Sequence, residues 1–74
     1  MLDFAALNKQ LDEEYEGVIE YAKLCKETGE GIFRDMAREE MTHAKHLEWY
    51  INKNGKLTDH EANKSKAKAA LEEV

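Results

Sequence analysis

Three residues of metal-ligand type, Glu14, Glu40 and His43, interrupt an otherwise apolar helix face in this chain of 74 residues. In the first helical stretch the face runs Leu7, Leu11, Glu14, Val18, Ala22, Cys25, and in the second it runs Phe33, Met36, Glu40, His43, Leu47, Tyr50. Each step is 3 or 4 residues, the repeat of one side of a helix. Burying an unpaired carboxylate costs several kcal/mol, so a seam carrying two per chain requires something positive to face them. A metal ion is the leading candidate. The competing reading is a buried hydrogen-bonded network that fixes the register of pairing, although its carboxylates would still repel each other.

The elements that must position these residues are helices. The composition has no proline, 42% hydrophobic residues and an excess of Glu, Lys, Ala and Leu, which favours an all-α fold. Asp3 is a good N-cap for a first helix that reaches about Thr28, with Gly29 as its left-handed stop. The stretch Thr28-Gly29-Glu30-Gly31 allows only a tight reversal, which predicts an antiparallel hairpin. The second helix runs from about Gly31 to Lys53 and stops at Asn54-Gly55. Thr58-Asp59-His60-Glu61 has the form of a capping box and predicts a third helix over about 59–72, with a thin apolar stripe of Ala67, Ala70, Leu71 and Val74. The expected division is a hairpin over 1–55 and a helical tail over 56–74, which docks weakly, packs on a neighbouring subunit, or frays.

Pairing across a reversal centred near residue 28 sets Glu14 level with residue 42, between Glu40 and His43. Glu40 and His43 are i and i+3 and share a face. One hairpin supplies only three ligands and has nothing against which to bury its apolar face. Two hairpins joined about a two-fold axis meet both needs, forming a four-helix bundle with four Glu and two His in its core. Four carboxylates balance two divalent cations, so the expected cofactor is two metal ions per dimer. Oxygen-rich ligands with one imidazole per ion suit iron, with manganese as its competitor, better than zinc.

The stretch from Ile32 to Leu47, centred on Glu40-Met41-Thr42-His43, resembles the Glu-x-x-His helix of rubrerythrins, and Glu14-Tyr15-Glu16 to Tyr21-Ala22 resembles the ligand helix that precedes it. The lengths resemble still more the encapsulated ferritins, two-helix chains whose ferroxidase centre forms only between subunits. There Glu13-Glu14-Tyr15-Glu16 is similar to a Glu-Glu-Leu-Glu-type stretch, and Leu47-Glu48-Trp49 to a Leu-Glu-Trp stretch after the ligand histidine. The resemblance covers about residues 7–52. It implies Glu14, Glu40 and His43 as the iron ligands, and hence the catalytic residues, of each half-site in a ferritin-like bundle. The implied activity is oxidation of Fe(II) by oxygen or peroxide for iron storage or detoxification, with an enclosing shell protein as a further partner. Two departures stand out: a shorter reversal, and a tail, Ala70-Leu71-Glu72-Glu73-Val74, without a recognisable shell-targeting peptide. Without a rubredoxin module, the resemblance to a rubrerythrin peroxidase implies an external electron donor in place of the usual one. The alternatives are a rubrerythrin-like peroxide-reducing enzyme and a metal-free helical interaction module.

The remaining residues bound these readings. The net charge of -5 is uneven, with 6 Lys+Arg against 12 Asp+Glu in residues 1–52 and 5 against 4 in residues 53–74. An acidic surface argues against nucleic acid as a partner and otherwise serves solubility. One cysteine excludes an internal disulfide, a four-cysteine zinc site and a rubredoxin-type iron site. No apolar run predicts a signal peptide or membrane span, so the expected location is the cytoplasm or a protein nanocompartment within it. Tyr15 and Tyr21 read as packing residues, with hydrogen bonding to a ligand carboxylate or electron transfer as the alternative. Mid-helix Gly17 reads as a close helix crossing, or else as room for oxygen. His46 reads as a surface residue, or as a metal entry point with Glu16 or Glu39, and His60 as a helix-start residue. Glu13, Glu16, Glu20 and Glu39 read as solvated, Cys25 and Met36 as core, and Trp49 as a subunit contact at the seam's edge.

Overall fold

The computed structural model describes residues 2–74 and is all-helical: α1 spans Phe4–Thr28, α2 spans Gly31–Lys53 and α3 spans Glu61–Glu72. The Asp3 carboxylate opens α1 by accepting from the backbone N–H groups of Ala5 at 3.0 Å and Ala6 at 3.2 Å. Gly29 closes it with φ 73°, donating its N–H to the Cys25 carbonyl at 2.7 Å. That φ belongs to the left-handed region, where glycine alone carries no steric penalty. The reversal and both hairpin helices therefore fall where capping chemistry predicts.

On α1 the core of the single chain keeps Leu11, Val18 and Ala22 of the expected seam, whereas on α2 it lies beside that seam. Leu11, Tyr15 and Val18 of α1 cluster with Ala37, Met41, Ala44 and Ile51 of α2 and Ala67 of α3, and Ala22 of α1 is buried as well. On α2 these positions also recur at 3, 4 or 7 residues, so that helix carries two adjacent apolar stripes, while on α1 Tyr15 joins the expected face and Glu14 stands at its edge. Cys25 and Met36, expected in the core, are only half-buried, and Met41 takes the buried methionine position instead.

The third helix is packed, not frayed. It lies mainly along α1, where Ala67 is fully buried and Leu71 packs against the cluster. It starts two residues later than expected, at Glu61, because the Thr58 hydroxyl does not cap it. Asp59 accepts from the Glu61 N–H at 3.0 Å, while Thr58 turns inward to Asn8.

A polar knot pins this end of α3 to α1, and His60 is its centre. His60, expected only to start a helix, is buried. Its Nδ1 is 2.7 Å from Asp12 Oδ1, and its Nε2 is 2.9 Å from both Asn8 Oδ1 and Thr58 Oγ1. The Asn8 amide nitrogen donates to the carbonyls of Phe4 at 2.8 Å and Lys56 at 3.0 Å, so its oxygen is left as the acceptor. Nδ1 thus faces the Asp12 carboxylate, and Nε2 lies between the Asn8 oxygen and the Thr58 hydroxyl, so the ring ties all three together. Burial pushes the Asp12 carboxyl up, but hydrogen bonds from His60 and Asn63 and the His60 charge outweigh it and hold Asp12 below its ordinary value.

Because α3 covers one side of the hairpin, the other side stays open. The chain is only 15 Å across in its thinnest direction, little more than the roughly 10–12 Å diameter of one helix. Leu7, Tyr21, Phe33, Met36 and Leu47 are left half-buried. Glu14, Glu40 and His43 belong to this same open side. None of the described helices is long and apolar enough to cross a membrane.

Candidate metal centre

The structure brings Glu14 of α1 together with Glu40 and His43 of α2, one ligand atom of each lying within 4.8 Å of the others. His43 Nδ1 is 3.5 Å from Glu14 Oε2 and 3.6 Å from Glu40 Oε1. These separations exceed ordinary N–H···O bonds, so the three groups converge on a common point without saturating one another. Antiparallel pairing sets Glu14 at the height of residues 40–43, and the i, i+3 spacing aims Glu40 and His43 the same way.

Burial is graded across the three. The Glu14 side chain is 16% exposed, that of Glu40 26% and that of His43 57%. The expectation of three buried side chains is corrected here: both carboxylates are partly covered, and the imidazole stands in the open. On α2 the stripe carrying Glu40 and His43 flanks the monomer's core, and nothing in the single chain lies over His43.

One atom lacks a partner. Glu14 Oε2 is buried and makes no hydrogen bond, whereas buried carboxylate oxygens are ordinarily satisfied. The Glu14 carboxylate in turn pushes Glu40 up to about 6, with partial burial adding to the effect and His43 opposing it. Two acids held side by side, one with an unsatisfied oxygen, make a local negative well. A divalent cation fits that donor set, with two carboxylates and one imidazole offering hard oxygen ligands and a single nitrogen.

Of the surrounding residues, Gly17 and Trp49 differ from their sequence readings, while Tyr15, His46 and the flanking glutamates agree with theirs. Gly17 faces the Glu40 side chain rather than a backbone crossing: a Cβ there would lie 2.9 Å from Glu40 Oε2. Tyr15 is buried as a packing residue, and its hydroxyl donates to Glu48 Oε2 at 3.0 Å, not to a ligand carboxylate. Burial, reinforced by Glu48, raises its phenol well above the usual range and keeps it protonated. Trp49 is exposed beneath the Lys53 ammonium, 4.4 Å from the ring centre, and lines a shallow cleft with Tyr15, Lys64 and Lys68 rather than the open side. His46, Glu13, Glu16, Glu20 and Glu39 are exposed.

Sequence reasoning missed the Asn8–Asp12–His60 knot. Asn8 does stand in register with Leu11, Tyr15, Val18 and Ala22, and that stripe was the available signal. Comparison with protein-family models, curated proteins and solved structures returns no match.

Proposed function

We propose that two copies of the chain join their open sides about a two-fold axis, forming a ferritin-like four-helix bundle in which their Glu14, Glu40 and His43 sets bind two Fe(II) ions for oxidation. The observation that carries this reading is the orphaned Glu14 Oε2 within a group of three ligand atoms, set on a face of half-buried apolar side chains. A cation supplies the missing partner for the carboxylate, and a second hairpin supplies the missing cover for Leu7, Met36 and Leu47. The combined site has four carboxylates for two divalent ions, a neutral total.

Fe(II) is the substrate. Glu14 and Glu40 hold the ions and lower the electrostatic cost of the higher oxidation state, while His43 supplies one nitrogen to each ion and leaves room for the oxidant. Oxidising two Fe(II) releases two electrons, enough to take dioxygen to hydrogen peroxide or hydrogen peroxide to water. The outcome is iron storage or detoxification, and storage further needs a ring of subunits or a shell, since four helices enclose no cavity.

Anaerobic Fe(II) titration tests the reading. Wild type is expected to saturate near one Fe(II) per chain and to dimerise as it does so, and Glu40→Ala to lose the uptake. Equal uptake by both proteins removes the site assignment, and no uptake by wild type leaves a metal-free helical module. Turnover that demands an added reductant with peroxide would instead assign peroxide reduction to the same residues.

A further inference from the structure

We infer that Gly17 is a positioning residue for the Glu40 carboxylate, its missing side chain being the recess in which that carboxylate lies against α1 beside Glu14. The inference rests on the two-metal reading of Glu14, Glu40 and His43 and adds a residue that touches none of the metals.

A glycine in the middle of a 25-residue helix needs an explanation. It destabilises the helix by about 1 kcal/mol relative to alanine. Backbone conformation does not supply the reason, because the positive-φ glycines are Gly29 and Gly55, and Gly17 has ordinary helical geometry. Close approach of the α2 backbone does not supply it either. The three atoms nearest to a Cβ at Gly17 all belong to the Glu40 side chain: Oε2 at 2.9 Å, Cγ at 3.3 Å and Cδ at 3.4 Å. The 2.9 Å contact to Oε2 is closer than a Cβ tolerates and the 3.3 Å contact to Cγ is tight, so a methyl group at 17 requires the Glu40 side chain to shift.

What would yield is the end of a flexible side chain, not the fold. An alanine at 17 therefore leaves the hairpin intact and moves the Glu40 carboxylate away from α1. Its present place puts it within ligand distance of Glu14 and His43, and metal sites tolerate displacements of only about 0.5 Å before affinity falls. Moving it also separates two carboxylates that repel each other in the metal-free chain. The same methyl group thus acts in opposite directions, stabilising the empty protein and weakening the loaded one. A glycine with a merely structural role would show no such opposition.

The test compares wild type, Gly17→Ala and the exposed control Gln10→Ala as full-length protein. The measurements are thermal unfolding without metal, anaerobic Fe(II) titration by calorimetry, and the visible spectrum of the Co(II) complex. Gly17→Ala is expected to unfold several degrees higher without metal, to bind Fe(II) at least tenfold more weakly, and to shift the Co(II) bands. Gln10→Ala is expected to keep the wild-type affinity and spectrum. Unchanged affinity and an unchanged Co(II) spectrum in Gly17→Ala overturn the inference while leaving the metal site standing. Absence of metal binding by wild type overturns the two-metal reading itself, and this inference with it.

Discussion

His60 of the segment leading into α3 lies 2.7 Å from Asp12 of α1, and this contact, buried on the histidine side, is the clamp that docks the third helix. Removing the imidazole takes away the 2.7 Å contact to Asp12 and the ring that lies against Asn8 and Thr58. His60→Ala is therefore expected to destabilise the protein by about 2 kcal/mol or more, chiefly by releasing α3. Hydrogen exchange should show α3 amides losing protection while the α1–α2 hairpin retains it.

Glu40 makes the metal-free protein sensitive to pH. Its carboxyl is raised from the ordinary 4.5 to about 6, first by the neighbouring Glu14 and then by burial. A group raised in this way contributes its stability while protonated, fully below about 4.5, and loses it as pH rises through 6. Glu40→Gln cannot ionise, so without metal it should be more stable than wild type at pH 7 by about 1 to 2 kcal/mol and indistinguishable from it near pH 4. Urea unfolding at both pH values in the presence of a chelator measures this. A loss of stability at pH 7 would show that the carboxylate is satisfied without metal.

Metal and dimer should be lost together. Met36 is half-buried on the open side and is not among the residues that pack on the monomer's core, one turn before Glu40. Met36→Lys is expected to change monomer stability by no more than about 1 kcal/mol, to abolish the Fe(II)-dependent dimer in sedimentation, and to lower Fe(II) affinity at least tenfold. A variant that stays monomeric but binds iron as tightly as wild type would separate the two features.

Tyr15 tests the opposite side of α1. Its hydroxyl donates to Glu48 at 3.0 Å, and the other Glu48 oxygen accepts from Lys64 at 3.0 Å, so the three residues link all three helices. Tyr15→Phe should cost about 1 kcal/mol in thermal or urea unfolding and leave Fe(II) affinity unchanged. A large fall in affinity would tie this tyrosine to the site after all. By contrast, the Lys26–Glu73 pair is exposed on both sides, and Lys26→Ala should be nearly neutral.

Local signals made much of this legible from the sequence. Asp3, Gly29 and Asn54-Gly55 bound the hairpin helices because caps act within a few residues and need no tertiary partner. Helical spacing and the tight reversal bring Glu14, Glu40 and His43 to one height, since 3.6-residue periodicity and a constant rise fix both face and level. Thr58 misled because its hydroxyl has two suitable uses, capping α3 or bonding Asn8, and the choice depends on what α1 offers 50 positions away in sequence.

What the sequence alone determined is the set of helices, their antiparallel reversal, and one apolar face on each of α1 and α2. Only the tertiary structure decided that the core on α2 forms on Ala37, Met41, Ala44 and Ile51 beside that face. α3 packs along α1 through Ala67 and the His60 knot, and the hairpin closes on Leu11, Tyr15, Ala37 and Ala44, leaving Glu14, Glu40 and His43 on the uncovered flank. The physical reason is that periodicity states which residues share a face, whereas burial depends on which other surface comes to cover it.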